Sequence, residues 1–421
     1  MSETTANTGP VLAADGRPLK VSLARALRRQ KMRALLLIAP LLLFIVVTFL
    51  APIGDMLFRS VENGIVPETL PLTVEALEDW NPDDGEAPGE EVFAALHADL
   101  LVAVEAKSHT RLGSRLNYEQ PGISSLFRKI GRRVEKMDEG NYKAQFLEAD
   151  EDWADVEVWR TVKRFSSDYT AGYFLASVDM GYGPGGVQMK PEDERIYLFL
   201  MGRTLLLSAV ITLSCVLLGY PVAFLLANLP LRTSNMLMIL VLLPFWTSLL
   251  VRTSSWIVLL QQQGVINDTL VAIGILDDLG RLELMHNQIG TVVAMTHILL
   301  PFMILPLYSV MKTVSPSYVR AAKSLGATDW TAFWKVYFPN TVPGIGAGAV
   351  LVFILSIGYY ITPELVGGTS GIFISNRIAY HISSSLNWGL AAALGVFMLA
   401  VILVFYWLYD KIVGIDNVKL G

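Results

Sequence analysis

The chain has 421 residues, of which 53% are hydrophobic and 17% are charged, and its formal net charge is −5 at pH 7. This composition is too apolar for an ordinary soluble protein. The single cysteine, Cys215, excludes an internal disulfide bond and a cysteine-rich metal site.

The apolar residues are concentrated in six runs, each close to the roughly 20 residues that a helix needs to cross a bilayer. We therefore predict an all-α membrane protein with six transmembrane helices and a helical extracytoplasmic insert between helices 1 and 2. The six runs are residues 34–58, 198–227, 236–260, 289–311, 344–362 and 390–409.

Basic side chains cluster in a tail, residues 1–33, before the first run, 34–58. By the positive-inside rule this tail is cytoplasmic. The first run is longer than the apolar core of a signal peptide and has no convincing cleavage site, so we expect a retained anchor. Alternation then places the insert outside the membrane, and both the loop at 312–343 and the C-terminus inside. The basic residues are Arg17, Lys20, Arg25, Arg28, Arg29, Lys31 and Arg33, with Lys411 and Lys419 at the C-terminus.

The insert, residues 59–196, carries about twice as many acidic as basic residues. Its first part, 66–90, is rich in Pro, Asp and Glu, which predicts a linker. Apolar residues at helical spacing then predict three helices, and a glycine-rich stretch predicts a flexible exit before the second span. The insert is either a docking surface for a soluble binding protein or a solvated elaboration. The predicted helices are 91–108, 123–137 and 149–166, and the exit is 181–186.

The third apolar run contains one cation, Arg252. An ionisable group inside a membrane span is a functional-site hypothesis. The alternative, which we favour, is structural: the side chain reaches the headgroups and pairs with Glu364 or Asp268. Aromatic residues near span ends usually lie at the interface, although some could stack on a cationic substrate. The candidate substrate-pathway residues are Trp246, Arg252, Trp256, Tyr359, Tyr360 and Glu364.

The loop after the fourth run has the signals of a folded helix–turn–helix of about 25 residues, longer than an ordinary connection. Ser315 can cap a helix that begins at Pro316. Gly326 suits a left-handed stop, and Thr328 or Asp329 can cap a second helix. Pro339 and Pro343 then lead into the fifth run, where Gly344, Gly346 and Gly348 form a face of small residues that another helix can approach closely.

This loop resembles the EAA loop in the membrane subunits of bacterial ABC importers. The family pattern is Glu-Ala-Ala, three residues, Gly, nine residues, then Ile-x-Leu-Pro. Here it reads Arg320-Ala321-Ala322, Gly326 and Val336-Tyr337-Phe338-Pro339, with every spacing kept. Val336 and Phe338 are volume-tolerant apolar replacements. Arg320 reverses a charge, so a salt bridge made by the family's Glu to its ATPase cannot be carried over.

Further strings across residues 197–421 resemble the spermidine/putrescine branch of these type I (MetI-like) permeases, which also carries opines and related nitrogenous solutes. The first span and the insert show this likeness only weakly. The strings are Gly219-Tyr220-Pro221-Val222-Ala223, LPFWTSLLVRTSSW, Gly264-Val265-Ile266-Asn267, ITPELVGG from Ile361, and Asn387-Trp388.

The resemblance implies a multi-pass permease subunit of a binding-protein-dependent importer in the bacterial inner membrane, with a polyamine such as spermidine or putrescine as the favoured solute. It implies an ATPase dimer, a second permease subunit (identical or related), a periplasmic solute-binding protein and membrane lipid as partners, and no nucleic acid. The residues implied in coupling to the ATPase are Arg320, Ala321, Ala322, Lys323, Leu325, Gly326, Ala327, Thr328, Asp329, Trp330 and Pro339.

The sequence contains no G-x-x-x-x-G-K-[ST] motif that would cradle a triphosphate. ATP and magnesium are therefore expected on a partner chain, and this chain is expected to hold no cofactor, metal or catalytic residue. Two alternatives stay open. An ion-coupled secondary transporter would leave the folded loop unexplained. An intramembrane serine protease would use Ser370, in Gly368-Thr369-Ser370-Gly371, with His297 as its base.

Overall fold

The computed structural model describes residues 19–183 and 186–413. Residues 1–18, which make up more than half of the predicted basic tail, lie outside the described residues. So do positions 184 and 185 of the predicted exit, and Lys419.

The first apolar run belongs to a compact unit of its own that ends at Phe58. It is formed by α1 (Leu19–Ile45), a π-helical turn (Val46–Leu50) and α2 (Ala51–Arg59). Over 33 residues it is long and apolar enough to cross a membrane, and none of its most apolar stretch is buried in protein. A helix that is apolar on every side is suited to a lipid environment.

The insert folds as a set of short helices followed by a β-hairpin. The predicted helices at 91–108, 123–137 and 149–166 correspond to α5, α7 and α9, and the last two are shorter than predicted. Where the predicted exit is described, it is part of the hairpin. The elements are α3 (Ile65–Thr69), α4 (Pro71–Leu77), α5 (Glu90–Glu105), α6 (Ser108–Leu116), α7 (Ile123–Ile130), α8 (Tyr142–Ala149), α9 (Val156–Arg164), α10 (Gly172–Ser177) and antiparallel β1 (Met180–Gly183) and β2 (Gly186–Met189).

An aromatic core holds the insert together. The rings of Phe93 and Trp159 lie 4.8 Å apart between centroids, and those of Phe146 and Trp153 lie 5.4 Å apart, both edge to face. The indole N–H of Trp159 donates to the carbonyl oxygen of Trp153 at 2.9 Å. All four side chains are fully buried. Such rings stabilise a core beyond their buried area, so the insert has a hydrophobic core of its own.

The prediction that residues 66–90 form a linker is wrong for the first half of that stretch. Val66, Leu70 and Leu77 are fully buried in the core of the insert. The buried carboxylate of Asp99 accepts hydrogen bonds from the backbone N–H and the hydroxyl of Thr73, both at 2.7 Å, and so caps the first turn of α4. The stretch is polar overall, so its composition did not indicate that these three apolar residues pack into the core.

The remaining helices form the membrane core. Over the described residues, five helices are long and apolar enough to cross a membrane, or six if one bent pair counts as a span. This confirms an all-α membrane fold. The helices are α11 (Tyr197–Asn228), α12 (Leu231–Leu242), α13 (Leu249–Leu260), α14 (Val265–Ala272), α15 (Gln288–Thr313), α16 (Pro316–Ser324), α17 (Asp329–Ala332), α18 (Phe338–Gly358), α19 (Ile361–Val366), α20 (Gly368–Gly371), α21 (Ile374–Ser383) and α22 (Trp388–Val413).

The predicted third span, 236–260, is not one straight helix. The segments Leu231–Trp246 and Leu249–Ala272 meet at an angle of 97°. Pro244 lacks the N–H that would continue the helix, and Thr247 and Ser248 adopt extended backbone conformations. The apolar run continues through the break, so hydropathy alone could not reveal it.

Small residues bring α11, α15 and α18 close together around Met303. A Cβ added at Gly348 would lie 2.6 Å from Met303 Sδ, and one at Gly344 would lie 2.9 Å from Val310 Cβ. On α11, a Cβ at Gly219 would lie 3.0 Å from Met303 Cγ. Cys215, fully buried nearby, is a small core residue. Of the glycines predicted to form a face of the fifth run, Gly344 and Gly348 therefore serve helix packing.

Asp179 joins the insert to the second span. Its carboxylate accepts hydrogen bonds from the first backbone N–H groups of α11, at 3.1 Å from Ile196, 3.0 Å from Tyr197 and 2.8 Å from Leu198. These donors have no partner inside the helix, and a negative charge at a helix N-terminus is favourable. The insert therefore caps the span directly.

A second junction connects the insert and α11 with α21. The hydroxyl of Tyr197 lies 3.0 Å from His381 Nε2, and His381 Nδ1 lies 2.8 Å from the Ser385 hydroxyl. The ring of Tyr118, from the insert, packs edge-on against His381. Burial, together with the nearby guanidinium of Arg377, lowers the pKa of His381 to about 4.

We expect His381 to make the protein sensitive to acid. In the unfolded chain histidine titrates near 6.5, so between this value and about 4 the unfolded chain binds more protons and the free energy of unfolding falls as the pH falls. The loss should be on the order of 3 kcal/mol over this window. Thermal unfolding of the detergent-solubilised protein at pH 7, 5.5 and 4 measures it. His381→Gln should flatten the profile, whereas His97→Gln, at a partly exposed position, should not. Equal profiles for His381→Gln and the wild type would contradict the assignment.

Candidate functional site

The most distinctive candidate site is the loop at residues 312–343, which we call the elbow. As predicted, it contains a helix that begins at Pro316. The hydroxyl oxygen of Ser315 accepts a hydrogen bond from the Ser317 N–H at 3.3 Å, and the missing N–H of Pro316 costs nothing in a first turn. The first elbow helix, α16, therefore starts where its local sequence directs.

Gly326 ends this helix with φ of 92°, in the left-handed region. A Cβ there would meet no atom within 4 Å, so the requirement for glycine is one of backbone conformation and not of space. The Ala327 N–H closes the turn by donating to the Ala322 carbonyl oxygen at 3.0 Å. Thr328 then caps α17 by accepting from the Thr331 N–H at 3.3 Å. The turn is short and fully hydrogen-bonded.

An ion pair between Lys323 and Asp329 connects the two elbow helices. Both side chains are largely exposed. Exposed pairs stabilise a fold by only about 0–1 kcal/mol, so this pair contributes to charge distribution more than to stability.

The second elbow helix is continuous with the fifth span. The helical stretch runs from Asp329 to Gly358 over 30 residues, passing through a π-helical segment, Phe333–Tyr337. The helix therefore extends to well before residue 344, where the apolar run begins, because Pro339 lies in the first turn of α18 and causes no break. The second elbow helix and the fifth span are thus one continuous helical element.

Aromatic rings anchor the base of the elbow to the second span. The ring of Phe333 packs edge-on against Phe224, and Phe224 against Tyr337, with centroid distances of 5.8 and 5.3 Å. The hydroxyls of Tyr220 and Thr341 are 3.1 Å apart. These contacts hold the base of the elbow against the second span.

The tip presents apolar side chains that nothing in the described chain covers. Leu325 is 90% exposed and Trp330 is 72% exposed. Large side chains with this exposure on a rigid protrusion are typical of a docking surface. Most of the predicted coupling residues are exposed. They are Arg320, Ala321, Lys323, Leu325, Gly326, Thr328, Asp329, Trp330 and Pro339, whereas Ala322 and Ala327 are half-buried.

The candidate pathway residues fall into two groups. In the first, Arg252 donates to the carbonyl oxygen of Thr247 at 3.0 Å, and Trp256 donates its indole N–H to His297 Nδ1 at 3.1 Å. The structure therefore pairs Trp256 with His297, which serves as the hydrogen-bond acceptor, while Arg252 is bonded at the helix break. The carbonyl oxygen of Tyr359 accepts a hydrogen bond from the Ser375 hydroxyl at 2.6 Å.

The second group is organised by Asn376. Its amide nitrogen donates to the Glu364 carboxylate at 2.6 Å and to the Tyr360 carbonyl oxygen at 2.9 Å, and its amide oxygen accepts from the Phe373 N–H at 2.9 Å. Asn376 was missed in the sequence, where a lone asparagine between two spans carries no distinguishing pattern. Trp246 lies in neither group and is almost fully exposed at the break before α13.

The suggested ion pairs of Arg252 are not formed. Glu364 is bonded to Asn376, and Asp268 pairs with Arg281 at 2.7 Å. Arg281 follows shortly after α14, the helix that contains Asp268. The guanidinium of Arg252 satisfies a backbone carbonyl instead, consistent with a structural role near the helix break. Within the described residues, no group of three or more His, Cys, Asp or Glu is placed to hold a metal ion.

The chain is similar to membrane components of bacterial transport systems. Residues 216–413 match the profile described as "Binding-protein-dependent transport system inner membrane component". The chain is 34% identical over 222 residues to the spermidine/putrescine transport system permease protein PotB of Haemophilus influenzae, which covers 52% of this chain and 77% of that protein. The corresponding protein of Escherichia coli K12 is 30% identical, with 52% and 80% covered.

Among solved structures, this chain is similar to one protein chain of the "Crystal structure of bacterial alginate ABC transporter in complex with alginate pentasaccharide-bound periplasmic protein". The TM-score is 0.44 at 20% identity, covering 53% of this chain and 80% of that one.

We expect Asn376→Leu to destabilise the protein by about 1–3 kcal/mol, because it leaves the Glu364 carboxylate and the Phe373 N–H without their partner. Thermal unfolding in detergent measures the change. Ser383→Ala, on the exposed side of the same helix, is the control and should be nearly neutral. If the two variants unfold at the same temperature, the organising role of Asn376 is refuted.

Proposed function

The chain belongs to the family of binding-protein-dependent transport system inner membrane components and is the permease component of an ABC importer, and on this premise we propose that its solute is a polyamine of the spermidine and putrescine class. Permease subunits of this family are not catalytic. The protease alternative built on Ser370 and His297 therefore has no support, and neither has the secondary transporter.

We propose that the elbow couples the spans to an ATPase on a separate subunit, which binds ATP and magnesium. The observation that carries this proposal is the exposed apolar tip, Leu325 and Trp330, on a protrusion continuous with the fifth span. Force applied at the tip would pass along α18 to the tightly packed contacts with α11 and α15 near Met303. The spans would then rock between inward-open and outward-open states.

From this coupling we assign the elbow, the termini and the insert to the two sides of the membrane. The elbow and both termini are cytoplasmic, and the insert lies on the opposite side of the inner membrane. A second permease subunit, identical or related, would complete the pathway, and a solute-binding protein would deliver the polyamine. The basic residues of the described tail, Arg28, Arg29, Lys31 and Arg33, support the cytoplasmic side for the N-terminus.

The polyamine assignment is supported by the names of the PotB relatives and by the chemistry of one candidate group. Glu364 is an exposed carboxylate beside Tyr360, which is 45% exposed. A carboxylate and an aromatic face are the groups that attract a primary ammonium. Asn376 holds the carboxylate in place.

Replacing Gly326 should separate transport from folding. We expect Gly326→Val to abolish uptake of radiolabelled spermidine while the protein still inserts in the membrane, because a β-branched residue is strained at φ of 92°. Gly280→Val is the control, since an added Cβ there also meets open space but the backbone is not left-handed. Normal uptake by Gly326→Val would refute the coupling role of the elbow.

The solute assignment can be tested at Glu364. We expect Glu364→Gln, which removes the charge but can still accept the Asn376 hydrogen bond, to raise the half-saturating spermidine concentration about tenfold, equivalent to about 1.4 kcal/mol of lost attraction. Glu283→Gln, at an exposed carboxylate in a different loop, should leave it unchanged. Unaltered saturation in Glu364→Gln would remove Glu364 from the pathway.

A further inference from the structure

The elbow carries an excess of basic side chains. Across residues 312–343 the cations are Lys312, Arg320, Lys323 and Lys335, and the single carboxylate is Asp329. Lys312 donates to the carbonyl oxygen of Ala227 at 3.3 Å, and Lys323 pairs with Asp329. The side chains of Arg320 and Lys335 have no hydrogen-bond or ion-pair partner among the described residues. Two cations are thus left for an outside partner.

Arg320 lies at the centre of the exposed face of α16. Val319 and Ala322 are the half-buried residues of this helix, and they point toward the body of the protein. On the opposite face, helical spacing groups Arg320 with Ser317, Lys323 and Ser324, all of them exposed. Ser317 and Ser324 are small, and Lys323 is already paired within the elbow. A partner surface that packs closely on this face therefore covers the Arg320 guanidinium.

Lys335 differs from Arg320 in this respect. It is exposed in the π-helical segment and does not belong to α16. The face of α16 that surrounds Arg320 therefore does not include Lys335. The two cations carry the same charge but have different relations to the docking surface.

Docking on this face removes the Arg320 guanidinium from water, and this group cannot lose its charge. Arginine stays protonated in proteins, and an ionised group taken out of water without a partner costs several kcal/mol. The apolar contacts of Leu325 and Trp330 would be offset by this cost unless the partner supplies an anion. A carboxylate matches the planar guanidinium with two parallel hydrogen bonds.

We propose that the ATPase groove that receives this elbow carries an Asp or Glu directly opposite Arg320, and that this charge pair determines which ATPase the permease accepts. The proposal rests on the coupling function assigned above. It adds that the partner surface is acidic opposite Arg320, whereas a Glu at this position would require a basic partner. An ATPase built for an acidic elbow would then be rejected by like-charge repulsion.

Co-purification with the transporter's own ATPase subunit tests the pair. The two chains are co-expressed, the full-length permease is captured in detergent, and the ATPase retained on it is measured. Arg320→Glu should reduce retention at least tenfold, and Arg320→Lys, which keeps the charge but not the planar fork, should reduce it less. Lys335→Glu makes the same change in net charge away from the face of α16 and should retain the ATPase like the wild type.

Charge exchange identifies the partner residue. Each Asp or Glu of the ATPase groove is changed to Lys in turn, and one of these variants should restore retention with Arg320→Glu. Undiminished retention by Arg320→Glu would overturn the proposal. So would a loss that no groove variant restores but that appears equally as weaker binding to anionic-lipid vesicles, because Arg320 would then contact phosphate headgroups.

Trp330→Ala separates failure of this proposal from failure of the coupling function. If Trp330→Ala loses the ATPase while Arg320→Glu keeps it, the elbow docks without the charge pair. If both variants keep the ATPase, the elbow is not the docking surface, and the proposal falls together with the coupling function.

Discussion

The close approach of three helices around Met303 is the constraint on which the rest of the structure depends. Gly219, Gly344 and Gly348 leave so little room that an added Cβ at each would lie within about 3 Å of a neighbouring side chain. Lipid provides no hydrophobic force between helices, so association depends on such contacts. Because α18 is held in this way and is continuous with the second elbow helix, the elbow and the centre of the bundle belong to one helical element.

Features that are local in the chain could be predicted from it. Ser315, Gly326 and Thr328 determine the ends of the elbow helices through their own hydrogen bonds and backbone conformations. The apolar runs located the spans because lipid requires every backbone polar group to be paired within a helix. Both kinds of signal depend on a few neighbouring residues, and neither needs knowledge of tertiary contacts.

Features that depend on distant residues could not be predicted. The 97° bend after Trp246 interrupts no apolar run, and the stretch around Val66 packs into a core next to a helix that the distant Asp99 caps. Asn376 acts through partners on other elements. For these residues the deciding energies are tertiary, and composition or spacing along the chain does not encode them.

The π-helical segment Phe333–Tyr337 has a consequence for how this region can vary. A π-turn holds one residue more than an α-turn, so the helix is wider here while the helical segments on either side keep their direction. This wide turn lies at the base of the elbow, where the rings of Phe333 and Tyr337 pack on Phe224. Side chains in this stretch can be exchanged for others of similar bulk at moderate cost. Small replacements at Phe333 or Tyr337 would instead leave a gap between the elbow and the second span.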